Sequence, residues 1–147
     1  MCSHGSLGIG HWALGKNMNT SINDLEIYRE SMRIGEVVWE FVAGWPYFAK
    51  DTVGKQLVRA VDSVAANLAE GYGRYHFKEN QKFCYYSRGS AQETQTWIEK
   101  AARRGLVPED TARELYHDID TFKKRLNAYI RSIGPVDSDP NGPVTGH

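Results

Sequence analysis

The stretch RAVDSVAANLAEGYGRYHFKENQKFCYYSRGS, residues 59–90, predicts how two helices of this chain meet. Its first half is rich in alanine and places apolar residues three or four positions apart, the period of an amphipathic helix. Gly71 and Gly73 follow, and glycine readily takes the left-handed conformation that closes a helix C-terminus. A basic, aromatic segment then begins a new helix near Phe77. We therefore predict two helices joined by a tight turn.

Small side chains on both of these helices favour close packing between them. The first helix has alanines beside its apolar residues, and the second has the patch Gly89, Ser90 and Ala91. Such residues let two helix axes approach the low end of the ~8–10 Å range. The expected apolar stripes are Val53, Leu57, Val61, Val64, Leu68 and Tyr72 on the first helix, and Phe83, Tyr86, Ser90, Trp97, Ile98 and Ala101 on the second.

Another helix is predicted on the N-terminal side of this pair. It is expected to begin near Ser21, which resembles the start of a capping box with Asp24. Gly44 and the proline of the linker 45–51 end it. Its expected apolar stripe is Leu25, Tyr28, Met32, Gly35, Trp39 and Val42.

The last predicted helix lies on the C-terminal side. Gly105 ends the preceding helix, and Pro108 is the expected first helical residue, since proline suits that position. Gly134 and the proline after it stop this helix. Its expected stripe is Leu115, Ile119, Phe122, Leu126, Tyr129 and Ile133.

Four helices with short connections predict an all-α fold, an antiparallel up-down-up-down four-helix bundle over residues 21–133. Residues 1–20 and 134–147 are rich in turn formers and are expected to be loose or disordered tails. No apolar run approaches the ~20 residues of a membrane helix. The start also lacks the basic and apolar regions of a signal peptide. We therefore expect a cytoplasmic protein with no membrane partner.

The charge of the chain is zero overall but unevenly distributed. Ten Lys/Arg and six Asp/Glu lie between Lys50 and Arg104, a net charge of +4, whereas each flank carries −2. This pattern weakly favours an anionic partner, although a solvated helical surface also produces it. Cys2 and Cys84 have neither CxxC nor zinc-site spacing, so we expect reduced thiols.

Basic and aromatic residues interleave around the connection between the second and third helices. The six cations are Lys55, Arg59, Arg74, Lys78, Lys82 and Arg88. The aromatic residues are Tyr72, Tyr75, Phe77, Tyr85 and Tyr86. Cations bind phosphates, and exposed rings stack on unpaired bases, so this segment is the predicted nucleic-acid-binding surface. The alternative is that the rings are core or subunit-interface residues and the cations are merely solvated.

A polar motif accompanies the predicted turn. Glu70 and Arg74 have the i,i+4 spacing of a helical ion pair. Alternatively, Glu70 meets Arg88 across the helix pair. We interpret the motif as a structural network that fixes the turn. Its residues are Asn67, Glu70, Gly71, Gly73, Gly89 and Ser90.

No catalytic or metal-binding constellation is recognisable, so we expect no enzymatic activity, no metal and no cofactor. Glu70 lacks a second carboxylate or histidine at a suitable spacing. Glu114 and His117 match one Glu-x-x-His unit of a di-iron bundle, but no second unit completes the site. His117 beside Asp118 and Asp120 is more typical of a solvated helix face than of a metal site.

Three segments of the chain resemble a known bacterial family. They are DLEIY at 24–28, RAVDSVAANLAEGYGR at 59–74, and RGS at 88–90 with Glu93 after it. The family comprises four-helix bundle proteins first described as encoded in intervening sequences of the large ribosomal RNA gene. It is also similar to the accessory variability determinants of diversity-generating retroelements. The resemblance covers all of the chain except the tails.

The resemblance implies a small cytoplasmic bundle that assembles as a homopentamer. In the retroelement relatives it further implies a basic, barrel-like pentamer that binds nucleic acid together with a reverse transcriptase. The leading hypothesis is therefore a non-enzymatic accessory protein that binds RNA or DNA. The alternative hypothesis is a protein-interaction scaffold with no nucleic-acid contact.

Overall fold

Four long helices make up most of residues 21–134, the part of the chain that the computed structural model describes. They are α1 (Glu26–Ala43), α2 (Lys55–Tyr72), α3 (Phe77–Arg103) and α4 (Glu109–Ser132). The described residues contain no strand, so the predicted all-α class is confirmed. Apart from Gly134, the two predicted tails lie outside the described residues. None of the described helices is both long enough and apolar enough to cross a membrane.

Each helix packs against its neighbours in the sequence, and α1 also packs against α4. The α2–α3 pair is the most extensively packed. Within it, the Ser87 hydroxyl donates a 2.8 Å hydrogen bond to the Val64 carbonyl oxygen. Arg33 of α1 forms a 3.1 Å ion pair with Asp118 of α4. Hydrophobic burial is therefore supplemented by polar contacts between helices.

The N-terminal boundary differs from the predicted capping box. The Ser21 hydroxyl accepts a 3.2 Å hydrogen bond from the Asn23 amide and caps a short 3-10 turn, Ile22–Asp24. Leu25 is extended, with ψ of 119°, and separates that turn from α1. The helix therefore starts at Glu26 rather than near Ser21.

The predicted linker before the second helix is largely helical. A single helical turn, Tyr47–Ala49, leads into a π-helical segment, Lys50–Gly54, which continues into α2. A Cβ added at Gly54 would lie 2.8 Å from Val42 Cγ1, so the backbone approaches α1 closely here. Glycine is the residue that permits this approach.

The predicted stripes of α2 and α4 are largely confirmed, whereas those of α1 and α3 are only partly correct. Gly35 and Val42 on α1, and Ile98 and Ala101 on α3, are buried as predicted. On α1, Met32 and Trp39 are 43% and 57% exposed, and on α3 Tyr86 is half-exposed. Residues beside the predicted ones are buried as well. They are Ile27, Ser31, Ile34 and Val38 on α1, and Cys84, Ser87, Ala91, Thr94 and Gln95 on α3.

The helix ends show which glycines have a conformational role. Gly105 has φ of +75°, and the Leu106 amide donates to the Ala101 carbonyl oxygen at 2.9 Å, as in a Schellman motif. Gly105 therefore ends α3 as predicted. Gly73 has φ of −80°, and the described residues with positive φ do not include Gly71. The prediction of a left-handed turn at Gly71 and Gly73 is wrong.

Candidate nucleic-acid interface

The six predicted cations do not form one surface around the α2–α3 connection. Lys55 and Arg59 lie in the first turns of α2, whereas Arg74 lies just beyond its last residue. This helix has 18 residues and is therefore about 27 Å long at 1.5 Å per residue. The cations near the connection are consequently separate from Lys55 and Arg59. Lys55 also pairs with Asp51, at 3.2 Å.

A close backbone contact fixes the connection between α2 and α3. Gly71 is buried within α2, against the first turns of α3. A Cβ added there would lie 2.8 Å from Asn80 Oδ1, 2.9 Å from Phe83 Cβ and 3.0 Å from the Asn80 carbonyl oxygen. The role of Gly71 is thus to let the helices approach, and this approach positions the residues of the connection.

Arg74 occupies the centre of the connection. Its guanidinium lies 2.7 Å from Glu70 and 3.7 Å from Glu79, and 5.1 Å from the centre of the Phe83 ring. Lys82 Nζ is also 5.6 Å from the centre of that ring. The side chains of Arg74, Glu70 and Glu79 are all partly exposed, so their ion pairs contribute little stability. The i,i+4 pair predicted for Glu70 and Arg74 is confirmed.

Three exposed residues stand beside this charged group. Tyr75 is 93% exposed and Phe77 47% exposed, and Lys78 is also exposed. The only ring contact of Tyr75 in the described residues is a T-shaped one with His76, whose centroid lies 5.1 Å away. We define the connection surface as five side chains. They are Arg74, Tyr75, Phe77, Lys78 and Lys82.

Arg88 belongs to a different contact from the one predicted. It donates a 2.8 Å hydrogen bond to Asn127 Oδ1 on α4, and its guanidinium lies 4.8 Å from the centre of the Tyr85 ring. The alternative pairing of Glu70 with Arg88 is therefore wrong. Asn67 donates to the Ser63 carbonyl oxygen within its own helix, at 2.9 Å. The predicted polar network is consequently divided into separate local contacts.

Gly89 and Ser90 do not form the predicted small-residue contact with α2. Gly89 is exposed, and a Cβ added there would have no neighbour within 4 Å. The Ser90 carbonyl oxygen accepts a 2.7 Å hydrogen bond from Thr94 within α3. Only Ala91 of the patch is buried. The face that meets α2 is rotated from the expected one.

Tyr72 and Cys84 lie near the connection, Tyr72 half-buried and Cys84 fully buried. The pKa of Tyr72 is raised, first by burial and then by the charge of Asp24. Burial raises the pKa of the Cys84 thiol to about 11. A thiol with such a pKa stays protonated at neutral pH and is a poor nucleophile.

The carboxylates considered for metal binding have other partners. Asp118 pairs with Arg33, and Asp120 accepts a 2.8 Å hydrogen bond from Gln95. Within residues 21–134, no group of three His, Cys, Asp or Glu side chains is arranged to hold a metal ion.

A protein-family model matches most of the sequence of this chain. Residues 23–128 match the family model described as 23S rRNA-intervening sequence protein. The chain belongs to this family. The match covers α1, α2 and α3 and most of α4, including the whole connection surface.

A solved structure is similar to this family member in fold. It is a protein with unknown function from the S23 ribosomal protein family of Bacteroides thetaiotaomicron VPI-5482. The two are 17% identical, with a TM-score of 0.64, and the similarity covers 71% of this chain and 97% of that chain. At this identity the likeness supports the fold alone. No curated protein matches the chain significantly.

This member of the 23S rRNA-intervening sequence protein family has a second surface feature, which we call the α1–α2 groove. It has a volume of about 310 Å³. Its lining combines small side chains with two carboxylates and a half-exposed methionine. The lining residues are Tyr28, Ser31, Met32, Gly35, Glu36, Val61, Asp62, Ala65, Ala66 and Ala69. The alanine pattern of α2 signalled close packing but not this open groove.

Asp62 lies in the α1–α2 groove in an unfavourable environment for a carboxylate. Its pKa is raised, first by burial and then by the charge of Glu36. A raised pKa in the folded state means that the contribution of Asp62 to stability is greatest when it is protonated. This contribution is lost as the pH rises through the folded-state pKa. Ionised Asp62 therefore disfavours folding at neutral pH.

We expect Asp62→Asn to raise the melting temperature slightly at neutral pH, because it removes a partly desolvated charge that is repelled by Glu36. The gain should disappear as the pH falls below the ordinary Asp value of 3.8, where the carboxyl is neutral in both states. Thermal unfolding followed by circular dichroism across this pH range measures the effect. Glu40→Gln, at an exposed α1 position, is the control. A loss of stability at neutral pH would contradict the expectation.

Proposed function

We propose that this chain is a non-enzymatic accessory protein that binds RNA or DNA through the connection surface. One observation carries the proposal: exposed cations and exposed rings lie together where α2 meets α3. Lys78 offers a charge to phosphates, and Tyr75 and Phe77 offer ring faces. The family description, which refers to a sequence within 23S rRNA, is consistent with a role near RNA.

The charge balance sets the expected strength of binding. Arg74, Lys78 and Lys82 are positive, whereas Glu70 and Glu79 are negative, so the group has a net charge of +1. A single copy with this charge would bind phosphates weakly. We propose that the chain assembles as the homopentamer implied by the resemblance. Five copies of the connection surface would then act on one nucleic acid, and linked sites bind more tightly than one.

Lys78→Ala tests the contribution of phosphate contacts. We expect severalfold weaker binding and a salt slope smaller in magnitude by about 0.7–0.9 for each copy of the connection surface in contact with the nucleic acid, the change for one lost phosphate contact per copy. Fluorescence anisotropy at several salt concentrations measures both. Arg74→Ala would be harder to interpret, because it also removes the contacts of Arg74 with Glu70 and Phe83.

Lys100→Ala is the matched control for Lys78→Ala. Lys100 is also an exposed lysine on α3, but it lies 22 residues further along, about 33 Å away at 1.5 Å per residue. It should leave binding unchanged. Equal losses in the two variants would mean that the net charge of the protein, rather than the connection surface, controls affinity. Absence of binding to every nucleic acid would overturn the proposal.

The second candidate function is a protein-interaction scaffold, which the α1–α2 groove favours. Met32 is half-exposed at this groove, and Trp39 is exposed further along α1. Exposed apolar side chains beside a concave surface are typical of protein contacts. Native mass measurement of the wild type and of Met32→Glu separates self-association from binding to another protein. A pentamer that Met32→Glu dissociates would identify the groove as a subunit contact.

We also propose that the four helices alternate in direction, as in the up-down-up-down arrangement. Two contacts in each of four helix pairs support this. In every pair, the contact with the higher residue number on one helix has the lower residue number on the other, as in antiparallel helices. On α3 and α4, Gln81 bonds to the Ile133 carbonyl oxygen and Gln95 to that of Tyr116. The other pairs are Gly35–Asp62 and Gly54–Val42, Val64–Ser87 and Gly71–Asn80, and Glu26–Arg125 and Arg33–Asp118.

The proposed function also implies a cellular compartment. We place the protein in the cytoplasm, where RNA and a reverse transcriptase would both be accessible. The reverse transcriptase is a partner only in the retroelement branch that the sequence resembles. A reverse-transcriptase gene beside this one would support that branch, and an insertion within a ribosomal RNA gene would support the other.

A further inference from the structure

We infer that the connection surface takes single-stranded nucleic acid, with an unpaired base stacked on the Tyr75 ring. The inference rests on the proposed function and adds the substrate class. Tyr75 is 93% exposed, more than any other large hydrophobic side chain in the described residues. It lies in the short connection between α2, which ends at Tyr72, and α3, which begins at Phe77.

The neighbouring rings are less available than Tyr75. The Phe83 ring has the Arg74 guanidinium 5.1 Å from its centre, and the Tyr85 ring has that of Arg88 at 4.8 Å. A cation over a ring occupies one of the two faces that a base could use. Phe83 is in addition half-buried, and Tyr85 is 48% exposed, about half the value of Tyr75. The T-shaped contact of Tyr75 with His76 covers at most one face of its ring. An open aromatic face is therefore available at Tyr75.

The small net charge of the surface favours a single strand over a duplex. Phosphate contacts alone would be weak here, so affinity must come largely from another source. Base–aromatic stacking adds affinity without any charge, and every unpaired base has a face to offer. A duplex keeps its bases stacked on each other and offers only its phosphates and groove edges. Lys78 is close enough in sequence to Tyr75 to contact a phosphate beside the stacked base.

Unpaired RNA and unpaired DNA share this chemistry, so the experiment includes both. Binding of labelled strands of about 12 nucleotides is measured by fluorescence anisotropy. A hairpin duplex and an abasic strand of the same length are measured in parallel. The full chain is used as wild type, Tyr75→Ala, Tyr75→Phe and Tyr47→Ala. Tyr47 is the control, because it is an exposed tyrosine before α2, at the other end of that helix.

We expect both single strands to bind more tightly than the duplex and the abasic strand. Tyr75→Ala should weaken single-strand binding about tenfold for each copy of the connection surface in contact with the strand, within the range for one lost stacking contact per copy. Tyr75→Phe should retain binding, since the ring remains, and Tyr47→Ala should have no effect. The salt slope of Tyr75→Ala should equal that of the wild type, because no charge is lost. A difference between the RNA and DNA arms would identify the sugar that is preferred.

Three outcomes would overturn the inference. If the duplex or the abasic strand binds as tightly as the single strands, and Lys78→Ala still weakens binding, stacking is wrong but the proposed function survives. If Tyr75→Ala changes the native mass, Tyr75 is a subunit contact rather than a base platform. If no strand binds, the proposed function fails and the inference fails with it.

Discussion

Gly71→Ala is expected to destabilise the protein by about 1–3 kcal/mol, the usual cost of forcing an extra carbon into a packed contact. The added Cβ would lie 2.9 Å from Phe83 Cβ and 3.0 Å from the Asn80 carbonyl oxygen. Neither atom is the end of a flexible side chain, so the two helices must move apart. Urea unfolding followed by circular dichroism at 222 nm, the standard helix signal, measures the loss as a lower midpoint at unchanged slope.

Gly89→Ala is the matched control for this substitution. Gly89 is also a helical glycine, but it is exposed, and an added Cβ meets nothing within 4 Å. Replacement should stabilise the protein by about 0.5–1 kcal/mol, because alanine favours the helix over glycine. The two substitutions should therefore change stability in opposite directions. Equal gains would show that α2 and α3 do not approach closely at Gly71.

The position where α2 and α3 meet was predicted correctly, but the role predicted for Gly71 was wrong. The Gly71 and Gly73 pair indicated a helix end, and α2 does end there, at Tyr72. The expected left-handed conformation is found instead at Gly105. Sequence alone cannot separate a glycine needed for its backbone angles from one needed for close approach. The distinction depends on Asn80 and Phe83 of the next helix.

The apolar stripes could be predicted where large aliphatic residues define them. Leu57 on α2 and Leu126 on α4 are almost completely buried, as expected. On α1 and α3, the large aromatic residues drew the prediction to Trp39 and Tyr86, which are exposed. On α1 the additional buried positions are mostly aliphatic neighbours such as Ile34 and Val38. On α3 many buried positions hold small or polar residues such as Ser87, whose hydroxyl is satisfied by a main-chain carbonyl oxygen. Hydrophobicity alone gives no signal for such positions.

The candidate site was predictable in composition but not in arrangement. The cations and rings near the connection are those the sequence indicated. Their pairings were not predictable, because Arg88 bonds to Asn127, 39 residues away. Lys55 lay within the same basic stretch but is separated from Arg74 by the length of α2. Exposure separates Tyr75 from the other rings, and it depends on the packing of whole helices.

A buried glutamine that the sequence did not single out forms the main polar link between α3 and α4. Gln95 is 1% exposed. Its amide nitrogen donates to the Tyr116 carbonyl oxygen at 3.0 Å and to Asp120 at 2.8 Å. Its amide oxygen accepts a 2.7 Å hydrogen bond from Lys123 Nζ. Every polar atom of the side chain is therefore satisfied, which allows it to be buried without penalty.

Gln95→Met is expected to lower the free energy of unfolding by about 1–3 kcal/mol, the cost of leaving buried polar partners unsatisfied. Methionine nearly preserves the volume of the side chain, so the loss reports the hydrogen bonds rather than a cavity. Gln95→Ala adds a cavity and should cost more, about 2–5 kcal/mol. Urea unfolding measures both variants.

Gln92→Met is the control, because Gln92 also accepts a hydrogen bond from Lys123 Nζ, at 2.8 Å, but is exposed. Water replaces that bond when it is lost, so the change should stay within about 0.5 kcal/mol. Equal losses at positions 92 and 95 would mean that Lys123 alone, rather than the buried amide, links the two helices. A stabilising Gln95→Met would mean that apolar packing is preferred here, as happens when a buried polar group is replaced by one of similar shape.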